Sequence, residues 1–160
     1  MQDMLVALYR LPEATPVVAR LAADGILIRR VNPWERTLLV DFARDLFGAN
    51  WADEVQVAFA HQPITCFVAT DRTARRIVGM TAYECTRRGF LGPAGVHPDY
   101  RGRDIGRALL LRALEGLRDL GYAYGIIGGV GPAEFYARCA GAVPIADSTP
   151  GVYEDLLPRG

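Results

Sequence analysis

The sequence predicts an α+β fold, with a central mixed, mostly antiparallel sheet flanked by about four helices. Apolar segments with strand-like patterns alternate with segments of 3.6-residue periodicity. Their order is strand, two helices, three strands, helix, strand, helix and one or two strands, which is typical of the α+β class. The 160 residues are 51% hydrophobic and 22% charged and contain no repeat or linker. We therefore expect a single domain over residues 1–160.

The N-terminal quarter begins with a predicted lead-in at residues 1–24, which holds a short strand and a weak helix. The domain core is expected over residues 25–160, starting with a strand at 26–31. Asn32 has the features of an N-cap, because Pro33 follows in the first turn and Glu35 stands three residues after the cap. The apolar face of this helix is predicted to contain five side chains: Trp34, Leu38, Leu39, Phe42 and Leu46.

The middle of the chain adds a second short helix at 50–61 and then an antiparallel meander. Its strands are predicted at 64–69, 77–85 and 90–97, and the glycines and proline of the third strand predict a bulge or a splayed edge.

The C-terminal part begins with a helix at 105–120, on which Leu111 is the one apolar residue of the polar face. A buried strand at 122–130 and a helix starting near Pro132 follow. The tail holds an apolar run at 143–145, a turn at 148–151 and a second run at 152–157, and is expected to form a closing hairpin or a short strand and a loose end. Strands such as 151–157 could pair across a possible homodimer.

The stretch from Val96 to Arg107 connects a predicted strand to the long helix. It contains two glycines and three arginines. Free N–H groups and the positive end of the helix dipole make such a helix start an anion site.

The order Val-x-Pro-x-Tyr-Arg-Gly-x-x-x-Gly in this stretch resembles the acyl-CoA-binding motif of the GNAT superfamily of N-acetyltransferases. The family signature is Arg or Gln, two residues, Gly, one residue, then Gly or Ala. Arg101 and Gly106 match it, and Asp104 stands in place of the inner glycine. A second match is the Phe135-Tyr136 pair on the helix after the buried strand. Residues 90–96 and 150–153 are similar to a bacterial subgroup of the superfamily.

The resemblance implies the GNAT fold and an acetyl-CoA-dependent N-acetyltransferase that acts on a primary amine. The backbone of Val96 would bind the pantetheine amides, and a nearby N–H would polarise the thioester carbonyl. Tyr136 would protonate the departing thiolate. Glu84 and His97 are the candidates for the base by location. Backbone N–H groups of six residues would surround the pyrophosphate: Arg101, Gly102, Arg103, Ile105, Gly106 and Arg107.

Each assignment has a structural alternative. Tyr136 could be a core residue, Glu84 a solvated edge residue, and the arginines of the loop a solvated face. Asp104 is expected in the first helical turn, paired with Arg107, and its charge is expected to weaken pyrophosphate binding without abolishing it.

Two function classes follow. The first is an active acetyltransferase with a small-molecule or peptide amine as acceptor. The second is a non-catalytic or degenerate GNAT-fold module that binds acyl-CoA weakly or acts as an interaction domain. A nucleotide-binding protein of another fold has little support, because the loop lacks the Gly-Lys-Ser/Thr ending of a P-loop.

Composition indicates which classes of binding partner and which cellular compartment to expect. The formal net charge is zero, which argues against non-specific binding to nucleic acid or to a membrane surface. The cysteines Cys66, Cys85 and Cys139 have no metal-ligand spacing, so no metal is expected, and reduced thiols predict a cytoplasmic location. The first apolar run is too short for a signal peptide or membrane span.

Overall fold

The computed structural model describes residues 1–158. Its strands are β1 (Met4–Ala7), β2 (Ile26–Arg30), β3 (Cys66–Asp71), β4 (Arg76–Tyr83), β5 (Phe90–Val96), β6 (Tyr124–Ile127) and β7 (Val143–Pro144). Its α-helices are α1 (Thr15–Ala23), α2 (Arg36–Phe47), α3 (Ala49–Val55), α4 (Ile105–Asp119) and α5 (Ala133–Ala140). No helix of residues 1–158 combines the length and apolarity needed to cross a bilayer.

The seven described strands form one sheet in the order β2-β3-β4-β5-β6-β1-β7. The pairs from β2 to β5 are antiparallel, as the meander predicts, and β5 pairs with β6 in parallel. The predicted lead-in contributes β1, which pairs with both β6 and β7. The α+β fold class is confirmed, with five α-helices in the described chain where about four were predicted.

The predicted N-cap at Asn32 is confirmed, but the apolar face predicted for the helix that follows is partly wrong. Asn32 and Glu35 form a capping box around a 3₁₀ turn that leads into α2. Trp34 and Leu38 are exposed, because α2 turns Leu39, Val40 and Ala43 toward the sheet. An exposed Trp34 fits its position in the 3₁₀ turn before the helix begins.

Helix α4 is the most buried helix and packs across β3, β4 and β5. Leu111 is buried, although the periodicity assigns it to the polar face. The reason is α1, whose Val17 and Leu21 cover that side of α4 in the same cluster. Leu120, which the periodicity assigns to the apolar face, is half exposed at the helix end.

The predicted C-terminal hairpin is wrong, and the alternative of one short strand followed by a loose end agrees with β7. Residues Gly151–Tyr153 form a single 3₁₀ turn, and no strand occurs between residue 145 and residue 158. The turn lays the Tyr153 ring against Gly128 and Gly129 just after β6. Pairing of tail strands across a homodimer therefore loses its structural basis.

Candidate active site

The sheet opens between β5 and β6. Only Phe90 and Leu91 of β5 pair with β6, opposite Ile126 and Ile127. The rest of β5 stays paired with β4 on its other side, as far as Val96 opposite Gly79. A register shift lies between Thr81 and Tyr83 on β4, which confirms the predicted bulge or splayed edge. Beyond Leu91 the two parallel strands therefore separate and leave a slot.

The free edge of β5 presents backbone groups to this slot. His97 donates its N–H to Val78 at 2.9 Å, which marks that position as a hydrogen-bonded pair of the antiparallel ladder. Hydrogen-bonded and non-hydrogen-bonded positions alternate along such a ladder. The N–H groups of Val96 and Ala94 are therefore directed away from β4 and into the slot. Hydrophobic periodicity alone does not show that the Ala94 N–H faces the slot, because that orientation depends on the register between β5 and β4.

A cavity of about 500 Å³ lies along the slot on the side of α4 and α5. Four residues predicted from the sequence line it together: Val96, Arg101, Gly106 and Tyr136. Its other lining residues are Thr81, Ala94, Gly95, Tyr100, Leu110, Pro132 and Phe135. Sequence reasoning missed these seven as site residues, although Tyr100 and Phe135 adjoin the motifs. The walls are mainly apolar and include two tyrosines, Tyr100 and Tyr136.

The loop before α4 closes one end of the cavity. Gly102 has a φ of 76°, and Asp104, the N-cap residue of α4, has a φ of 63°. These left-handed residues turn the chain so that α4 starts beside β5. The Arg101 Nε donates to the Val96 carbonyl at 3.3 Å, and the Arg103 guanidinium lies 5.4 Å from the Tyr100 ring centroid. The first-turn N–H groups of a 15-residue helix thus face a loop rich in arginine.

Arg107 adds a further sign of an anion site at this helix start. Its Nε is buried and has no hydrogen-bond partner among the described residues. A buried donor without a partner costs free energy unless a ligand or water satisfies it. The residue lies in the first turn of α4, next to the N–H groups that would bind an anion.

Asp104 does not pair with Arg107, contrary to the sequence prediction. Its carboxylate forms an ion pair with Arg20 of α1 at 2.6 Å. It also precedes the first helical turn instead of lying within it. The left-handed backbone at Asp104 is what turns this side chain toward α1. Arg20 partly compensates the negative charge at the edge of the anion site.

Tyr136 lies on α5, half buried between Phe135 and the apolar cluster beneath α4. Its ring centroid is 5.1 Å from that of Phe135 in an edge-on arrangement. The phenol has no hydrogen-bond partner among residues 1–158. Burial raises the pKa of Tyr136 above its ordinary value, so the hydroxyl stays protonated at neutral pH.

Glu84 does not line the cavity. It has a φ of 61° in the turn between β4 and β5, where its carboxylate accepts the Gly89 N–H and, at 3.2 Å, the Tyr122 hydroxyl. His97 caps the short turn after β5 and accepts the Asp99 N–H at 3.2 Å. Both side chains stabilise turns. Their predicted role as the base depended only on their location, and the structure places neither of them in the wall of the cavity.

The cysteines show no sign of a reactive site. All three are free, and burial raises the pKa of the Cys85 thiol to about 12 and that of Cys66 further. Within residues 1–158, no group of three or more His, Cys, Asp or Glu side chains is arranged to hold a metal ion.

Comparison with known proteins identifies the domain that carries this site. The family model described as "Acetyltransferase (GNAT) domain" matches residues 62–139, which run from β3 through the slot to α5. This part of the chain, 78 of its 160 residues, resembles a GNAT acetyltransferase domain. No curated protein sequence matches it significantly.

Solved structures show the same GNAT fold. The glucosamine N-acetyltransferase region of a fungal multi-domain GH3 β-N-acetylglucosaminidase is 18% identical, with a TM-score of 0.73 over 90% of this chain and 19% of that one. A GCN5-related N-acetyltransferase from Sphaerobacter thermophilus is 20% identical, with a TM-score of 0.69 over 90% of this chain and 48% of that one. This chain thus spans less than half the length of either protein.

A GNAT family acetyltransferase from Brucella melitensis, solved in complex with acetyl-CoA, is 21% identical. Its TM-score is 0.53 over 84% of this chain and 92% of that one. At these identities the likeness establishes the fold, and the GNAT fold predicted from the sequence is confirmed.

Proposed function

We propose that this GNAT domain transfers the acetyl group of acetyl-CoA to a primary amine. The observation that carries the proposal is the slot between β5 and β6, which has outward backbone N–H groups on one wall and the protonated phenol of Tyr136 on the other. An extended chain with amide groups can pair with such a strand edge as an additional strand would.

The donor would lie along this slot. The N–H groups of Ala94 and Val96 bind amide oxygens of the pantetheine arm. The pyrophosphate lies at the start of α4 against the N–H groups of Arg101, Gly102, Arg103, Ile105, Gly106 and Arg107. The Arg107 guanidinium, whose Nε has no partner within the described chain, gains one from the ligand.

The transfer needs one bond to form and one to break. The amine nitrogen attacks the thioester carbonyl, and a β5 N–H stabilises the oxyanion of the tetrahedral intermediate. As the C–S bond breaks, Tyr136 gives its proton to the sulfur, and the proton left on the new amide nitrogen restores the phenol. Neither Glu84 nor His97 lines the cavity, so we assign removal of the first amine proton to another group or to water.

A degenerate module that binds acyl-CoA weakly is the second candidate. Asp104 favours it, because a carboxylate replaces the motif glycine at the anion site. The ion pair with Arg20 at 2.6 Å counts against it, since the carboxylate is engaged by a cation on α1. We favour the enzyme.

Thermal unfolding with acetyl-CoA tests the proposal. Ligand at a hundred times its dissociation constant should stabilise the fold by about 2.7 kcal/mol and raise the Tm by a few degrees. Thiol release with a panel of primary amines then tests transfer. Binding without turnover of any amine would favour the degenerate module, and no binding at millimolar acetyl-CoA would reject both candidates.

A further inference from the structure

A second cavity, of about 370 Å³, lies at the turn between β3 and β4, beside the start of α2. Arg29 of β2 and Ile77 of β4 line it, together with Leu38 of α2. We refer to it as the hairpin cavity. It shares no lining residue with the cavity along the slot, and its volume lies within the range of small-molecule sites.

Arginines dominate the charge of the hairpin cavity. Besides Arg29, three arginines of the turn between β3 and β4 line it: Arg72, Arg75 and Arg76. The whole chain balances 18 basic residues against 18 acidic ones. The hairpin cavity instead has four arginines and two carboxylates, so its formal charge of +2 attracts anions.

Both carboxylates of the hairpin cavity are engaged by donors of the protein itself. Glu35 forms a two-bond ion pair with Arg29, at 2.6 and 2.9 Å. Asp71 accepts two backbone N–H groups of the turn through Oδ1 and the Tyr100 hydroxyl through Oδ2, the latter at 2.7 Å. Among residues 1–158, neither carboxylate forms an ion pair with an arginine of the turn.

The arginines of the turn keep donors for a ligand. Arg72 and Arg75 are exposed, and their guanidinium groups have no ion pair or hydrogen bond within the described chain. Arg76 donates to the Tyr100 hydroxyl at 3.5 Å, which uses one of its five N–H groups. Asp99 attracts Arg76 only from beyond ion-pair distance.

Tyr100 separates the hairpin cavity from the cavity along the slot. Its ring lines the cavity along the slot, whereas its hydroxyl donates to Asp71 of the hairpin cavity. The guanidinium groups of Arg76 and Arg103 each lie 5.4 Å from its ring centroid. Because Tyr100 is buried and its hydroxyl is bonded, it forms a fixed wall between two distinct sites.

We propose that the hairpin cavity binds a small phosphomonoester, at a site separate from that of acetyl-CoA. A phosphomonoester has a charge of about −1.5 to −2 at neutral pH and three acceptor oxygens, which match three guanidinium groups better than a carboxylate does. Arg72, Arg75 and Arg76 bind the phosphate, and Leu38 and Ile77 contact the carbon skeleton. The inference goes beyond the proposed function and does not depend on it, because different residues line the two cavities.

Phenyl phosphate and phenyl sulfate test this preference, because they have the same shape and differ by about one negative charge near neutral pH. Calorimetric titration into protein saturated with acetyl-CoA, which fills the other anion site, should show phenyl phosphate binding about tenfold or more tightly. Inorganic phosphate should bind severalfold more weakly than phenyl phosphate, because it has no ring to contact Leu38 and Ile77.

Variants of the exposed turn locate the site. The double variant Arg72→Gln with Arg75→Gln should bind phenyl phosphate at least about tenfold more weakly, with unchanged affinity for acetyl-CoA and unchanged Tm. Arg118→Gln is the matched control, because Arg118 is exposed on α4 and lies outside both cavities. It should change neither affinity.

Four results would overturn the inference: no binding of phenyl phosphate at millimolar concentration, equal affinity for phenyl sulfate, equal affinity for inorganic phosphate, or unchanged affinity in the double variant. Displacement of phenyl phosphate by acetyl-CoA would also overturn it, because the two ligands would then share one site. Failure of acetyl-CoA to bind would reject the proposed function alone. Titration of the natural protein and the variants without acetyl-CoA would then decide the inference.

Discussion

At the scale of single residues, the chemistry of the site depends on a hydroxyl that the fold does not use. Most buried phenols have a hydrogen-bond partner. Tyr136 is half buried and has none among residues 1–158, and burial raises its pKa. A hydroxyl without a structural role, on the wall of a cavity, is free to give its proton to a ligand.

Tyr136→Phe tests this role. We expect kcat to fall by about 10²- to 10⁴-fold, the usual contribution of a general acid, while acetyl-CoA affinity and Tm stay nearly unchanged. Steady-state kinetics and thermal unfolding measure both. Tyr122→Phe is the matched control, because that hydroxyl donates to Glu84, so its loss should lower stability and leave kcat intact. Equal kcat in the natural protein and Tyr136→Phe would remove Tyr136 from the mechanism.

The ion pair of Asp104 with Arg20 leads to a second prediction at the scale of single residues. Asp104→Gly removes a negative charge beside the anion site and places glycine at a φ of 63°, which glycine adopts without strain. We expect acetyl-CoA to bind several-fold more tightly, with a Tm change of a few degrees at most because the ion pair is exposed.

Arg20→Gln should have the opposite effect, because it leaves the Asp104 carboxylate uncompensated. In the Asp104→Gly background, Arg20→Gln should change affinity much less, and calorimetric titration of the four proteins measures this coupling. Unchanged affinity in Asp104→Gly would contradict the repulsion argument.

At the scale of elements, the entry to α2 depends on one carboxylate. Glu35 accepts the Asn32 N–H at 2.8 Å and forms a two-bond ion pair with Arg29, at 2.6 and 2.9 Å. The Arg29 hydrogen bond is the main cause that holds the pKa of Glu35 below its ordinary range. The helix start is therefore joined to β2 by a charge-assisted contact.

Because the pKa of Glu35 is lower in the folded state, its contribution is present above the unfolded pKa of about 4.3 and is lost as pH falls through the folded value. Glu35→Gln should thus lower the free energy of unfolding by about 1 kcal/mol at pH 7 and by much less near pH 3. Urea unfolding at both pH values measures the difference. Asp41→Asn, which breaks the exposed pair with Arg44, should cost little at either pH.

The contact of α4 with β4 depends on the absence of a side chain. A Cβ added to Gly116 would lie 2.5 Å from the Tyr83 ring, and that ring is buried. Gly116→Ala should destabilise the protein by about 1–3 kcal/mol, because a packed core resists added volume. Thermal unfolding tests this. Gly131→Ala, with open space around its Cβ position, should leave the Tm nearly unchanged.

At the scale of the whole molecule, the sheet is completed by its first strand. Met4, Val6 and Leu8 are at most 1% exposed and belong to the cluster that contains Leu117 and Ile127. Burying three such side chains is worth about 5–9 kcal/mol together, much of the net stability of a typical domain. The division into a lead-in at 1–24 and a core at 25–160 stays a prediction that deletion can test.

A chain that starts at residue 25 should unfold at much lower temperature than the full chain, or lack a cooperative transition. It loses β1 and also α1, which covers Leu111 of α4. Circular dichroism during heating measures the transition. A truncated protein with the same Tm as the full chain would show that residues 25–160 are self-sufficient.

Local patterns in the sequence determined much of the architecture. The antiparallel meander, the Asn32 capping box, the bulge near β5 and the amphipathic α4 are all visible there, because each depends on neighbouring residues or on a fixed period. The Gly- and Arg-containing loop and Tyr136 were also found from sequence, through their order along the chain.

The tertiary structure decided what depends on contacts between distant residues. It placed Asp104 against Arg20 and not Arg107, buried Leu111 beneath α1, and positioned Glu84 in the turn between β4 and β5. It also joined Thr86 to Glu54 and placed Tyr153 against Gly128, which no sequence spacing indicates. The physical reason is that helix periodicity and turn chemistry act over a few residues, whereas the partner of a side chain is set by how the elements pack.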